Sequence, residues 1–427
     1  MRVLLVDLNP FVAPSTPISL GNVGAALQAR GHEVQLMALG ATTAFSLRDL
    51  ARQLARLAPR LVVIGAYQRN MLHVRAFARL VKRTLPDAAV VIGGPQATFM
   101  PDAGVAALPE VDFVSRGEGE LAVQAIAEAL DGGWRDQPIA GVTARTRDGA
   151  LVTGPDPAVP TGLDGYPSPW QSGLLDPAAR EESILLTSRG CPNACCFCYT
   201  PAASGRRTRA QSVERVLEDI GVICRRGSGS LWFADPNFTS DERRVVQLLE
   251  GILARGLKAS MWVETRADMV SAALLALMRH AGVHTVAFGL ESAAPAVFPT
   301  LDKGIDPGRI ALAARQATAA GLRVELFSQF ALPHEGLDDA LHTLRFVSDC
   351  GVEIRGNSNA QQMQLYFGSP ICADPERFGV RPLRDELPPY LSVGAEFETA
   401  WISAAEIDQV KGAWRAASLD GGKRVVS

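Results

Sequence analysis

The chain has no apolar run long enough to cross a bilayer, no internal repeat, no low-complexity tract and little net charge. Its apolar stretches, such as Leu61–Ala66 and Ala89–Ile92, stop after a few residues, far short of the roughly 20 that a membrane helix needs. Lys and Arg number 42 against 45 Asp and Glu, a formal charge of -3, so neither nucleic acid nor an anionic membrane is indicated as a partner. No charged leader precedes a long apolar segment, because Arg2 runs straight into Val-Leu-Leu-Val-Asp7. A cytoplasmic protein without a signal peptide is the expectation. Nor are the cysteines spread out as a disulfide framework would be: of seven, four fall together as Cys191, Cys195, Cys196 and Cys198. Such clustering favours a metal or cluster site, while the isolated Cys224, Cys350 and Cys372 read as packing residues. What is present is an ordinary globular composition, 47% hydrophobic and 20% charged over 427 residues, enough for two or three domains.

The first third alternates strand and helix patterns. Val3–Val6, Glu33–Met37, Leu61–Ala66, Ala89–Ile92 and Val111–Ser115 read as strands, with helices over Leu20–Arg30, His73–Leu85 and Glu120–Leu130. This order predicts a doubly wound parallel sheet over residues 1–135. Its ligand-bearing loops would be Asn9–Leu20, Tyr67–Met71, Gly93–Pro101 and Arg116–Glu120, at the carboxyl ends of the strands. Residues 136–181 read as a linker with a short hairpin around Asp148-Gly149, followed by a tract rich in Pro and Gly. A second α/β stretch covers 182–372, with strands at Ile184–Thr187, Ser230–Ala234, Lys258–Val263, Thr285–Leu290, Val324–Phe330 and, more weakly, Ala360–Tyr366. Six such units predict an open, six-stranded partial barrel, since eight would close one. Residues 373–427 read as an irregular and then helical extension.

The most informative stretch is Thr187-Ser-Arg-Gly-Cys191-Pro-Asn-Ala-Cys195-Cys196-Phe-Cys198-Tyr199. Three cysteines spaced Cys-x-x-x-Cys-x-x-Cys can wrap one cube of iron and sulfide and leave one iron open to a ligand. Zinc would want a fourth Cys or His, for which Cys196 is the local candidate. With its aromatic Phe197 before the third cysteine, the motif resembles that of the radical S-adenosylmethionine (SAM) superfamily, and the resemblance extends over about 182–372. It implies a [4Fe-4S] cluster on Cys191, Cys195 and Cys198, with Cys196 a non-ligand. The open iron would chelate SAM, whose reductive cleavage gives a 5′-deoxyadenosyl radical. An external electron donor of flavodoxin or ferredoxin type, or a partner reductase, is implied too.

The same resemblance assigns further roles. Asp235, ending the second barrel strand, matches the segment that holds the SAM amino group. Glu264 and Arg266 follow the third strand, and Arg266 offers a guanidinium for the SAM carboxylate. Gly289-Leu-Glu291-Ser292 resembles the family's Gly-x-Glu-Ser, placing Glu291 and Ser292 near the ribose and methionine. Asp235 and Ser292 fit equally well as helix N-caps.

A doubly wound module ahead of this barrel resembles the cobalamin-binding branch of the superfamily, on Pro17-Ile-Ser-Leu-Gly21, Gly93-Gly94-Pro95-Gln-Ala-Thr98 and Arg116-Gly-Glu-Gly-Glu120. No Asp-x-His-x-x-Gly occurs, so no histidine is supplied as a lower cobalt ligand. Tyr67–Met71 and Phe99-Met100 are bulky where a corrin needs room. Two chemistries share this architecture: methylation of an unactivated carbon with cobalamin, and dehydration or oxidation without it. The second is similar to aminoglycoside-pathway radical SAM diol dehydratases. Late barrel segments are polar. Glu325 and Gln329 lie on one strand, and His334-Glu335 stands where the family has Leu-Pro-Gly. Asn357, Asn359 and Gln361, or Gln362, Gln364 and Tyr366, would share a face. Amide-rich linings suit hydroxyl- and amine-bearing ligands, with Glu325 as a carboxylate for an amine and His334 as a general acid or base. The leading expectation is therefore dehydration of an aminated, sugar-like small molecule, with cobalamin-dependent C-methylation next and a non-catalytic iron–sulfur protein third.

Overall fold

The computed structural model describes residues 1–9, 16–40, 46–157, 159–354, 360–384, 388–391 and 396–421. Residues 10–15 of the first expected ligand loop, and Asn357 and Asn359 of the amide-rich segment, lie outside them.

The N-terminal sheet contains β1 (Arg2–Asn9), β2 (Glu33–Gly40), β3 (Leu61–Gly65), β4 (Ala89–Gly93), β5 (Phe113–Ser115), β6 (Val142–Arg145) and β7 (Leu151–Thr153), in the order β2-β1-β3-β4-β5-β6-β7. The first five strands are parallel. Both faces of the central strands are covered, so β3 and β4 are continuously apolar, while the edge strand β2 alternates. Leu4, Val6, Val62 and Ile64 enter one core, while Val3, Leu5, Leu61 and Val63 enter the other. The hairpin β6–β7 pairs antiparallel onto β5 and so extends the sheet. The boundary expected after residue 135 thus falls inside the sheet. Thr143 and Ala144 are fully buried there, which a linker hairpin would not be.

The second sheet contains β8 (Ser183–Leu185), β11 (Ser230–Phe233), β12 (Ser260–Thr265), β13 (Val283–Glu291), β14 (Arg323–Phe330) and β15 (Ala360–Gln362), all parallel and in that order. Between β8 and β11, the two-residue strands β9 (Ser188–Arg189) and β10 (Arg209–Ala210) pair antiparallel and bracket the cysteine loop. This is the expected open partial barrel. Its interior carries an aromatic series, Trp232–Trp262 at 5.6 Å and Trp262–Phe327 at 5.9 Å between ring centroids.

The last segment does more than trail behind. Strands β16 (Val380–Pro382) and β17 (Phe397–Thr399) form an antiparallel pair, followed by the helix Ala404–Gly421. Phe397, Ile402, Ile407, Val410 and Trp414 join the barrel core. Tyr390, by contrast, enters the N-terminal core, where Arg75 donates to its Oη at 3.2 Å and Gln96 to its carbonyl at 3.3 Å.

Candidate active site

The cysteine loop begins where β8 ends. Asp235, after β11, accepts from Thr187 N (2.6 Å), Thr187 Oγ1 (2.6 Å) and Ser188 N (3.0 Å) and is fully buried. Both its oxygens are therefore occupied by protein donors. Asp235 fixes the corner from which the loop departs and does not reach toward a SAM amino group. Gly190 follows at φ 88°, where a Cβ would overlap the carbonyl oxygen of Arg207, so only glycine fits. Cys191 N then donates to Gly205 O at 3.1 Å, closing the loop on itself.

Cys191, Cys195 and Cys198 are half-buried, and their thiols lie near enough to perturb one another. Burial pushes the Cys195 thiol up to about 11, with Lys303 opposing and Glu291, Cys198 and Cys191 adding. Asn193 Nδ2 approaches Cys191 Sγ at 3.3 Å and Thr200 N approaches Cys198 Sγ at 3.4 Å. Three thiols with N–H donors on two of them are a donor set that fits an iron–sulfur cube. Cys196 points instead into the barrel core, with its N–H on Leu301 O. Among the described residues no three His, Cys, Asp or Glu groups converge on a single-ion position. The local candidate for a fourth zinc ligand, Cys196, is thus spent on packing. Phe197 packs against the same core beside Cys196.

A cavity of about 370 Å³ lies between the two sheets. One wall is the carboxyl edge of the N-terminal sheet, including Gly65, Tyr67, Gly93, Gly94, Ser115 and Gly117; the other is the barrel mouth, including Leu186, Arg189, Tyr199, Thr200, Ala234 and Glu264. The N-terminal wall fits a flat macrocycle in two respects. Gly65, Gly93, Gly94 and Gly117 put bare backbone on the cavity, with Gly94 held at φ 115° by its close approach to Ala66 O. Ser115 Oγ is buried without a hydrogen-bond partner, a polar atom that a ligand amide would satisfy. The bulk expected to obstruct this wall is mostly turned away. Met71 and Met100 are in the core, Asn70 donates to Leu8 O and Gly65 O (both 2.9 Å), and Phe99 packs on Gly368. Tyr67 does line the cavity.

The strand ends of the barrel gather charge near the cluster loop, although of the carboxylates there Glu264 lines the cavity itself. Glu291, at φ 65°, accepts from Lys303 Nζ at 2.8 Å and Gln329 Nε2 at 2.6 Å. Arg266 makes a bidentate pair with Asp268 (2.9 and 2.8 Å) and donates to Lys303 O at 2.9 Å. Burial, with the charges of Asp235 and Glu291, pushes the Glu264 carboxyl up to about 7. Tyr199 stacks edge-on against Tyr366 at 5.4 Å. Lys303 was missed from sequence; it lies in an aperiodic loop, and the only clue was that a buried Glu291 needs a cation.

Other expected residues lie elsewhere. Ser292 Oγ is fully buried, against Glu335 (3.4 Å) and Thr343 (3.2 Å) behind the sheet. His334 is exposed and stacks on Trp401, 4.1 Å between centroids. It occupies φ 64°, which explains why glycine is common there. Glu325 is buried on the same face of β14 as Gln329 but about 13 Å nearer the strand's N-terminal end, away from the barrel mouth that carries such sites. Gln362 donates to Phe397 O at 3.4 Å, and Gln361 is exposed.

The two walls define a class: a B12-binding-type α/β module facing the mouth of an iron–sulfur partial barrel. Residues 6–127 match the B12 binding domain and residues 185–347 match the Radical SAM superfamily. The chain thus carries a B12-binding domain followed by a radical SAM domain. It is similar to an uncharacterised methyltransferase of Pyrococcus horikoshii, 28% identical over 327 residues, covering 75% of this chain and 71% of that protein. It is also 26% identical over 299 residues to the anaerobic magnesium-protoporphyrin IX monomethyl ester cyclase of a Synechocystis species, covering 67% of this chain and 59% of the cyclase. Its fold matches the methyltransferase TsrM from Kitasatospora setae with cobalamin and a [4Fe-4S] cluster bound, at TM-score 0.75, 20% identity, and 92% and 83% coverage of this chain and that one. Among the described residues no helix is long and apolar enough to cross a membrane.

Proposed function

We propose that the protein is a cobalamin-dependent radical SAM C-methyltransferase acting on a small polar molecule. The observation that carries this is the single cavity with a glycine-rich wall from one domain and a cluster-side wall from the other. The names of the Pyrococcus horikoshii relative and of TsrM support methyl transfer. When bound, cobalamin would supply a methyl group, and SAM on the cluster the radical that removes hydrogen from the accepting carbon. Cys191, Cys195 and Cys198 hold the cluster. Ser115 Oγ would donate to one of the corrin amides, beside the bare backbone of Gly93 and Gly94. Arg266, held by Asp268, would offer its remaining donors to the SAM carboxylate, and Glu264 would take the SAM amino group. Glu291, balanced by Lys303, orients the ribose. Tyr199 and Tyr366 exclude water from the substrate side.

Dehydration of an aminated sugar, the leading expectation from sequence, ranks second. His334, its expected acid or base, is exposed and stacked on Trp401. The deciding experiment is anaerobic reconstitution with iron, sulfide and hydroxocobalamin, followed by desalting and metal counting. Methyl transfer requires about one cobalt beside about four irons per chain. With SAM and a strong reductant, both S-adenosylhomocysteine and 5′-deoxyadenosine should then accumulate. Iron without cobalt would overturn the reading and restore dehydration to first place.

A further inference from the structure

The turn Arg116–Glu120 was expected to serve the N-terminal ligand site. Its two carboxylates do something else. Glu118 and Glu120, at the start of the helix Gly119–Asp131, reach across to the barrel and meet the two arginines that bracket the cysteine loop. Arg189 and Arg209 stand opposite each other in the β9–β10 pair. Arg189 Nη1 lies 3.2 Å from both Glu118 Oε2 and Glu120 Oε2, and its Nη2 bonds Glu120 Oε1. Arg209 Nη1 donates to Glu118 Oε2 at 3.2 Å and its Nη2 to Glu118 Oε1. Tyr166 adds a hydroxyl to Glu118 at 3.2 Å, and its ring lies 5.5 Å from the Arg189 guanidinium carbon. All four charged side chains are at most 13% exposed. Burial alone would raise the Glu118 carboxyl, but the hydrogen bonds and charges of Arg209 and Arg189 hold it below the usual range.

Four buried charges are an expensive way to join two domains, because desolvation offsets most of their attraction. Their position suggests another use. Arg189 directly precedes Gly190 and Cys191, so it fixes the first arm of the cluster loop. On the other side, Gly117 N donates to Thr98 Oγ1 at 3.1 Å, and Thr98 Oγ1 bonds Gly94 O at 2.9 Å. Arg116 donates to Thr98 O at 3.0 Å and Met100 O at 3.1 Å. Bonded groups therefore run without a break from the glycine wall at Gly94 to the first cluster cysteine. Arg189, Glu118 and Glu120 also line the cavity themselves, so a ligand that fills it rests directly against the clamp.

We infer that the clamp of Arg189 and Arg209 on Glu118 and Glu120 makes cobalamin occupancy of the cavity and retention of the cluster mutually reinforcing. These four are positioning residues. The inference rests on the proposal that the cavity takes cobalamin. Linkage requires the effect to be reciprocal: each cofactor is held more tightly when the other is present, by the same factor.

The test follows iron loss. Reconstituted full-length protein, with or without bound hydroxocobalamin, is mixed anaerobically with a coloured ferrous chelator, and iron release is timed. Cobalt-loaded protein should lose iron about tenfold more slowly. Glu120→Gln, which keeps the shape and removes the charge, should still take up cobalt but show nearly equal rates with and without it. Glu118→Gln provides the same comparison if the first variant fails to fold. Cobalt uptake with no difference in wild-type iron loss overturns the clamp and leaves the proposed function standing. A wild-type difference that survives both variants also overturns the clamp. Failure to take up cobalt removes both together.

Discussion

The two walls of the cavity are built on opposite principles. The N-terminal wall is made of backbone and small side chains, with Gly65, Gly93, Gly94 and Gly117 along it and the unpaired Ser115 hydroxyl behind. The barrel side is charged: Glu264 and Arg189 line the cavity, and at the neighbouring strand ends charge is already matched within the protein, Arg266 on Asp268 and Lys303 on Glu291. A wall that must admit a broad, mostly neutral macrocycle works by leaving space. A wall that must orient a small zwitterion works by fixing charges in advance, because preorganised groups need not reorganise when the ligand arrives. Substitutions on the first wall should therefore act through shape, and those on the second through charge balance.

The largest effect should come from Cys195→Ala. Iron content and 5′-deoxyadenosine formation should both fall to background, while cobalt is still taken up, separating the walls by metal analysis alone. Gly94→Val should give the converse, loss of cobalt with iron retained, because a branched side chain at that φ forces this cavity-lining turn away from Ala66 O and deforms the wall. Cobalt uptake by that variant would break the comparison. Lys303→Met should destabilise the protein by about 3 kcal/mol in urea unfolding, by stranding the buried Glu291 charge. Adding Glu291→Gln should recover most of this loss.

A smaller effect concerns pH. The folded-state pKa of Glu264 is raised to about 7 from the ordinary 4.5. Between those values the unfolded chain releases this proton while the folded one keeps it, so this group makes stability fall as pH rises across that window. Glu264→Gln should therefore melt higher than wild type at pH 8, by about 2–4 °C, and show little advantage at pH 4.5. Smallest of all, His334→Gly should shift stability by less than about 1 kcal/mol, since relief of a left-handed φ offsets the lost stacking on Trp401. 5′-Deoxyadenosine formation should be unchanged.

What was legible in the sequence was local. Continuous apolar runs marked the parallel strands, and the spacing of Cys191, Cys195 and Cys198 marked the cluster loop. The rest depends on partners remote in the chain. Asp235 reads as a ligand-facing carboxylate until Thr187 is found on it, 48 residues upstream. Glu118 looks like part of a turn, yet its partner Arg209 lies 91 residues away. The bulk of Phe99 and Met100 argued against a corrin because sequence gives size but not direction. His334 attracted a chemical role for replacing a glycine, but its backbone angle accounts for the position. The hairpin β6–β7 was assigned to a linker because two short strands carry too few residues to declare that they continue a sheet.

The path of the C-terminal segment bears on how the protein is made. Tyr390 completes the core of the first domain, and Phe397, Ile402 and Trp414 complete that of the second. On the ribosome, the N-terminal sheet emerges first and would ordinarily fold first, yet a residue that fills its far side is synthesised only after the barrel. Until then the cleft beside Arg75 and Gln96 stays uncovered. A nascent chain would thus hold each core short of its last members until the segment after the barrel has been made, so the two domains would reach their final packing together.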